Sequence, residues 1–519
     1  MPLSNSFQSP TPVNAHSLTD ATGILEAIVH DRGLLALMSP EDRTRLLQAA
    51  GQIFCPETGD RRRLVRATQR QRKADKQKKD DSILAETGIR KLRRQSVFTT
   101  PNLPPPPLFA TEEIKDNPDF REVVDPQNCY VCKKNYTTVH SFYDQLCPTC
   151  AEFNFLKRTE TADLRGRVAL LTGGRVKIGY QAGIKLLRAG AHLIVTTRFP
   201  RDSAARYAAE PDFADWQNRL EIFGLDLRHT PSVEAFCQHL LSTRDRLDFI
   251  VNNACQTVRR PPGFYHHMME LELSSTADLQ PDARRLLGAY EGLRGYHLLP
   301  EGGVAPVELD RRVSEIAGLT HAAALSQAVL LPGELIAQKD IFPEGRLDQD
   351  LQQLDLRDRN SWRMMLDEVP SVELLEVQLV NAIAPFVLNA RLKALLLRTP
   401  EQDKHIVNVS AVEGQFYRRF KTTRHPHTNM AKAALNMMTR TSAADYHASG
   451  IHMNAVDTGW VTDEDPVQIA ARKVEEHRFH PPLDIVDGAA RIVDPILHGI
   501  NSGKPVWGQF LKDYQPTDW

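Results

Sequence analysis

Cys129, Cys132, Cys147 and Cys150 stand in CYVCKKNYTTVHSFYDQLCPTC as two CxxC pairs. Each pair turns tightly enough to aim two thiolates at one ion, and the loop between them brings the pairs together. Four thiolates in a tetrahedron suit Zn²⁺; with every position filled, such a zinc is structural rather than catalytic. Iron in a rubredoxin-like site is the alternative for the same ligands. A disulfide framework is disfavoured in a chain read as cytosolic, where thiols stay reduced. The module holds four of the seven cysteines; Cys55, Cys237 and Cys255 are expected to be small buried residues.

A second set of residues could hold a dinucleotide. RGRVALLTGGRVKIGYQAGIKLLRAGAHLIVTTR reads as strand, glycine-rich turn, helix and strand. Thr172 ends the first strand. Gly173, Gly174 and Gly179 shape a turn that also carries Arg175, Lys177 and Ile178. Such a turn lets backbone N–H groups approach a pyrophosphate, and the helix dipole favours its charge. Further along, LEIFGLDLRH closes a strand with Asp226 and Leu227, and LDFIVNNAC closes the next with Asn252, Asn253 and Ala254. HIVNVSA ends on Ser410, and IHMNAVDTGWVTDE carries Gly459 and Val461.

These segments resemble, in order, those of the short-chain dehydrogenase/reductase family, over about residues 166–515. TGGRVKIG looks like the family's TGxxxGxG loop, NNAC like its NNAG, and DTGWV like its PGxV. Asn381 in VNAIAPFVLNARL, Ser410 and Lys432 in AKAALNMMTR match members of the catalytic tetrad. The resemblance implies an α/β, Rossmann-like, doubly wound parallel sheet and an oxidoreductase acting on a carbonyl/alcohol pair. It places Asp226 at adenine, Asn252 on the cofactor side of the sheet, Lys432 on the nicotinamide ribose and Val461 at the carboxamide. The second strand ends VTTRF, with Arg198 where an acidic residue would bind both ribose hydroxyls. With Arg175 and Lys177 nearby, the charge favours a 2′-phosphate, so NADP(H) is expected over NAD(H).

Three departures are small: Lys177 for the middle glycine, Cys255 for the glycine of NNAG, and Thr458 for proline. The fourth changes the chemistry. Thr428 stands where the family's proton-donating tyrosine belongs, four residues before Lys432. A threonine hydroxyl is far less acidic than a phenol near an ammonium. Tyr417 and His427 are the candidate replacements. Tyr417 and Lys421 spell YxxxK, but Pro426 stops any helix begun there. The competing reading is a degenerate NADP(H)-binding sensor or scaffold.

The elements that must position these groups follow from pattern. Residues 1–17 read as disordered and 18–100 as a helical region, with Ser39 capping a helix that starts at Pro40. A basic arm at 61–94, with fourteen Arg/Lys against four Asp/Glu, could contact protein or nucleic acid; a solvated helix is the plainer reading. A Pro-rich linker covers 101–124 and the cysteine module 125–160. The dinucleotide-binding part carries an insertion at about 256–370, expected over the cleft as a lid or at a homo-oligomer contact. No apolar run is expected to reach membrane-spanning length, and the chain is expected to be cytoplasmic with a small-molecule substrate. Loss of the zinc is expected to leave the nucleotide site mostly intact, because the sheet has its own core. With 41% hydrophobic and 25% charged residues and a net charge of −1, the composition is that of an ordinary globular chain.

Overall fold

A computed structural model describes residues 14–94, 122–275, 278–288, 290, 322–335, 340–343, 345–347, 353–418, 421–462, 464–477 and 480–519. The chain divides into two compact units, 1–79 and 80–519.

The first unit is helical. Asn14 accepts a hydrogen bond from Ser17 N and caps the helix Ala15–His30, which therefore begins inside the stretch expected to be disordered. Residues 1–13 of that stretch lie outside the described residues. Ser39 Oγ accepts from Asp42 N and caps Pro40–Phe54 as expected. Neither helix buries a residue. The basic run lies on the helices Thr58–Ala85 and Gly88–Arg94, the first of which crosses from one unit to the next. Most of the Pro-rich linker, 101–121, lies outside the described residues.

In the second unit, after Gly88–Arg94, comes a small antiparallel sheet, β1 (Glu122–Asn128) and β2 (Asn135–Thr138), followed by the helix Pro148–Thr159. The main sheet follows: β3 (Val168–Thr172), β4 (His192–Thr197), β5 (Leu220–Gly224), β6 (Phe249–Asn252), β7 (Lys404–Ser410), β8 (Ile451–Asp457), β9 (Phe510–Lys512) and β10 (Gln515–Thr517). Their spatial order is β10-β9-β8-β7-β6-β3-β4-β5, parallel except for β10. All residues of β6, β7 and β8 are buried, as expected for strands covered on both faces. The helix Lys177–Arg188 packs with Ile485–Ser502, and Thr230–Thr243 with Ala384–Leu396, beside Pro426–His447. This is the doubly wound α/β sheet that the motifs imply. Strand order reverses between β3 and β6, and a crevice opens there at the carboxyl ends of the strands.

One expectation fails on composition. The run Ser371–Leu396 is long and apolar enough to cross a membrane. Half of its most apolar window is buried, and its second half packs on β6 and β7, so here it serves as a core helix of the sheet.

Candidate functional site: a dinucleotide cleft beside a four-cysteine cluster

A cleft of about 480 Å³ lies at the strand reversal. Among the expected cofactor residues, Gly173, Arg175, Lys177, Ile178, Gly179, Arg198, Asp226, Leu227, Asn253 and Ala254 line it. The turn is locked from beneath. Asn253 Nδ2 donates to the carbonyls of Thr172 (3.0 Å) and Gly173 (3.1 Å), and Thr172 Oγ1 accepts from Ala254 N. Gly173 has φ of 69°, and a Cβ there would lie 2.9 Å from Ala254 Cα. Gly174 backs onto Val195 rather than the cleft. No side chain caps the helix that begins at Lys177, so its first-turn N–H groups suit an anion.

Lys177 has φ of 54°, in the left-handed region that a side chain tolerates poorly. Lys177→Gly is therefore expected to stabilise the fold by about 1 kcal/mol, by relief of strain that outweighs the added chain entropy. Melting curves of the two proteins check this; a lower midpoint for the glycine form would refute it.

At the end of the cleft expected to take adenosine, Arg198 follows β4. Its guanidinium donates to Tyr265 Oη (2.6 Å) and lies over the Tyr265 ring (4.7 Å). Arg175 instead donates to Asp202 (2.7 Å), which also accepts from Arg206 (2.8 Å). Burial opposes it, but these two cations hold the Asp202 carboxyl below its usual range. Arg175 is thus largely neutralised, and Arg198 is the cation better placed for a ligand phosphate. Asp226 is 1% exposed and gripped by Arg228 through both oxygens, so its carboxylate is engaged before any adenine arrives. Arg228 also reaches Glu376 (2.8 Å).

The insertion contributes to this end. Its helix Pro262–Leu273 packs Phe264, Tyr265, Met268 and Met269 against Phe199 and Phe342. Tyr265, Arg260 and Asp355 line the cleft, in keeping with an insertion beside it.

The groups expected at the nicotinamide end are buried and do not line this cleft. Asn381 lies in a π-helical turn, Leu379–Ile383, a local widening common at functional sites. Its amide accepts from Gln256 N (2.8 Å) and donates to Gln256 O (3.2 Å), tying the helix to the chain after β6. Lys432 Nζ donates to Val409 O (2.8 Å), which leaves two of its three N–H groups for other acceptors. Ser410 Oγ and Thr428 Oγ1 are buried with no hydrogen-bond partner among the described residues. Buried hydroxyls are seldom left so, and a ligand or water would complete them.

His427 and Tyr417 separate clearly. Tyr417 is 94% exposed, which removes it as an acid folded into the pocket. Lys421 does not pair with it; its ammonium donates to the carbonyls of Glu413 and Gln415. His427 is 1% exposed, and its Nε2 lies 3.4 Å from Glu373 Oε1. Burial opposes ionisation of Glu373, yet His427 and Ser361 hold its carboxyl below the usual range. His425, at φ of 43°, stacks flat on Trp362 with ring centres 3.8 Å apart.

Asn252 has a different place from the one expected. Its Nδ2 donates to Asn389 Oδ1 and Asn408 Oδ1, both 2.9 Å, and Asn408 Nδ2 donates to Thr439 Oγ1 (3.0 Å). This buried network joins β6 and β7 to two helices rather than facing the cleft. Asn408 inside the apolar run HIVNVS was the sequence signal for it. Gly459 has φ of 76°, and Val461 is buried in a cluster with Cys129, Leu146 and Leu483.

The four cysteines converge. Their sulfur atoms all lie within 4.8 Å of one another, and Cys132 Sγ is 3.7 Å from Cys147 Sγ. A tetrahedron of ~2.3 Å Zn–S bonds has edges of about 3.8 Å, so the group could form a zinc site. The first pair turns through Lys133 at φ of 61°; the second opens the helix Pro148–Thr159, whose dipole favours thiolate. All seven cysteines are free. Cys237 is buried as expected, but Cys55 and Cys255 are exposed.

Two stretches of the chain match family models. Residues 167–276 match that described as short chain dehydrogenase, and residues 361–480 that described as enoyl-(acyl carrier protein) reductase. An uncharacterized protein of Acanthamoeba polyphaga mimivirus is 29% identical over 399 residues, 74% of each chain. Dehydrogenase/reductase SDR family member 13 of Bos taurus is 34% identical over 105 residues, 19% of this chain and 27% of its own. Retinol dehydrogenase 14 of Mus musculus is 33% identical over 116 residues, 20% and 34% of the two chains. The chain thus spans about a third or less of these two dehydrogenases. A Burkholderia cenocepacia short chain dehydrogenase solved in complex with NADP covers 67% of this chain and 96% of its own, at 16% identity and a TM-score of 0.40. The two matched stretches hold most of the residues that line the cleft, and over them the chain is similar to the short-chain dehydrogenase/reductase family.

Proposed function

We propose that the chain is an NADP(H)-dependent oxidoreductase of a carbonyl/alcohol pair on a small molecule, with Thr428 in the place of the family's tyrosine and a structural zinc on the four cysteines. The observation that carries it is the cleft itself, with an uncapped helix N-terminus for the pyrophosphate and Arg198 at the end of β4. The cofactor, when bound, supplies or accepts hydride. Arg198, held by Tyr265, offers its guanidinium to a 2′-phosphate, and Lys432 offers two N–H groups to ribose hydroxyls. Ser410 and Thr428, whose hydroxyls have no partner among the described residues, hydrogen-bond the substrate oxygen. Neither ionises near neutrality, so the proton exchanged at that oxygen traces to His427, which Glu373 holds from behind. We place the chain in the cytoplasm on its paired CxxC knuckles, which need reduced thiols to hold a metal.

NADPH is expected to bind more tightly than NADH, and Arg198→Asp to reverse the order by charge repulsion. Fluorescence titration of both nucleotides measures this, beside a turnover screen over carbonyl substrates. Equal affinities in the unmutated protein refute the NADP(H) preference. Tight NADPH binding without turnover on any substrate points instead to a binding protein.

A further inference from the structure

The four-cysteine module does not stand apart from the nucleotide-binding part. Cys129, fully buried, shares one apolar cluster with Ile89, Leu146, Val461, Leu483 and Val486. Polar contacts reinforce the seam. Tyr130 Oη accepts from Trp460 N (3.0 Å), and Gln145 Nε2 donates to His480 O (2.7 Å). Arg93 donates to the carbonyls of Pro481 (3.0 Å) and Leu483 (2.7 Å). Tyr143 Oη donates to Asp487 Oδ1 (2.5 Å), and Arg158 to Asp484 (2.6 Å).

The segment so held reaches the cofactor site from its other side. Gly459 is packed so closely that a Cβ would lie 2.6 Å from Leu483 Cδ1 and 3.3 Å from Tyr130 Oη. At Gly488 a Cβ would meet Ile178 Cδ1 at 3.0 Å and Val461 Cγ2 at 3.2 Å. Ile178 belongs to the first turn of the glycine-rich helix and lines the cleft. A continuous packed path therefore runs from a cysteine ligand, through Val461 and Gly488, to the phosphate-binding turn.

We propose that the metal module is the backing of the cofactor site: beside Arg93, it fixes residues 459–461 and 480–488 through Tyr130 and Gln145, so that metal occupancy and dinucleotide affinity are thermodynamically linked. Tyr130 is a positioning residue in this scheme, acting through the backbone of Trp460. The inference rests on the NADP(H)-binding reading, and it reverses the expectation that zinc loss leaves the nucleotide site intact. Linkage makes the coupling reciprocal, so bound nucleotide should also slow metal release.

The test uses the full chain, first analysed for one zinc per chain. NADPH affinity and amide hydrogen exchange are then measured on metal-loaded protein, on protein stripped by a thiol-directed mercurial followed by chelator and reductant, and on stripped protein with zinc restored. Metal removal is expected to weaken NADPH binding about tenfold or more, within the usual range of coupling between sites. Exchange should rise across 459–488 while β3, β6 and β7 stay protected, and zinc should restore both. Tyr130→Phe should keep its zinc yet raise KM for NADPH severalfold with kcat less affected. The proposal is overturned if stripped protein keeps both its NADPH affinity and its protection at 459–488. If the loaded protein binds no NADPH, the NADP(H) reading has failed, and exchange at 459–488 alone decides whether the module holds that segment. If stripping unprotects the whole sheet, the Tyr130→Phe affinity decides: an unchanged value refutes the proposal.

Discussion

Gly179→Ala is expected to weaken dinucleotide binding severely. The added Cβ would lie 2.2 Å from Gly173 O and 2.4 Å from Asn253 Nδ2. Neither neighbour can move cheaply. Gly173 O is backbone of the phosphate turn, and Asn253 Nδ2 already bridges the carbonyls of Thr172 and Gly173. The helix start must therefore shift away from the turn, which removes the close approach a pyrophosphate needs. Overpacking of this kind costs typically about 1–3 kcal/mol in stability. The loss of affinity should be larger, on the order of 100-fold, because the turn amides act together on one charged group. NADPH titration and a melting curve separate the two effects. An alanine protein that binds NADPH within a factor of three of the original would show that the turn is not the phosphate site.

His427→Ala is expected to lower turnover by about 100-fold or more, the usual scale for losing a general acid–base group. Tyr417→Phe should leave it unchanged, since that ring is 94% exposed. The two substitutions form a matched pair on either side of Pro426, one buried and one in solvent. Glu373→Gln should give an intermediate loss, because the amide keeps the shape but not the negative charge 3.4 Å from His427 Nε2. NADPH affinity should be unaltered in all three, which keeps chemistry apart from binding. Equal turnover in the His427→Ala and unmutated proteins would remove His427 as the proton source and leave Thr428 with water.

What was readable in the sequence was mostly local. The glycine-rich turn, NNA after β6 and the paired CxxC knuckles are short segments whose backbone geometry or ligand spacing is written in consecutive residues. The α/β alternation likewise gave the sheet, because buried parallel strands are continuous apolar runs. Contacts between distant segments were hidden. Arg175 reads as a free cation until Asp202 is seen beside it. Arg198 reads correctly as a cation at the ribose, but Tyr265, which holds it, comes from the insertion. Asn252 matched a motif and yet belongs to an asparagine network set by Asn389 and Asn408. Ser371–Leu396 does not read as a membrane-length run because Glu373, Glu376 and Asn381 interrupt its apolar residues. The Tyr417 question turned on exposure, which no spacing rule supplies.

The seam between the cysteine module and residues 459–488 has a consequence for how the chain is made. Tyr143 and its partner Asp487 are 344 residues apart in sequence. At ~5–20 residues per second, the ribosome needs roughly 20–70 s to deliver the second after the first. During that interval Tyr143 and Leu146 have been synthesised, but the part of their cluster formed by Val461, Leu483, Ile485 and Val486 has not. A metal gripped by Cys129, Cys132, Cys147 and Cys150 would close a short loop at once and give the module a shape of its own while it waits. Scarcity of zinc during synthesis should therefore lower the yield of folded chain more than removal of zinc afterwards lowers its stability, a difference that pulse-labelling in metal-depleted translation extracts would register as early aggregation of nascent chains.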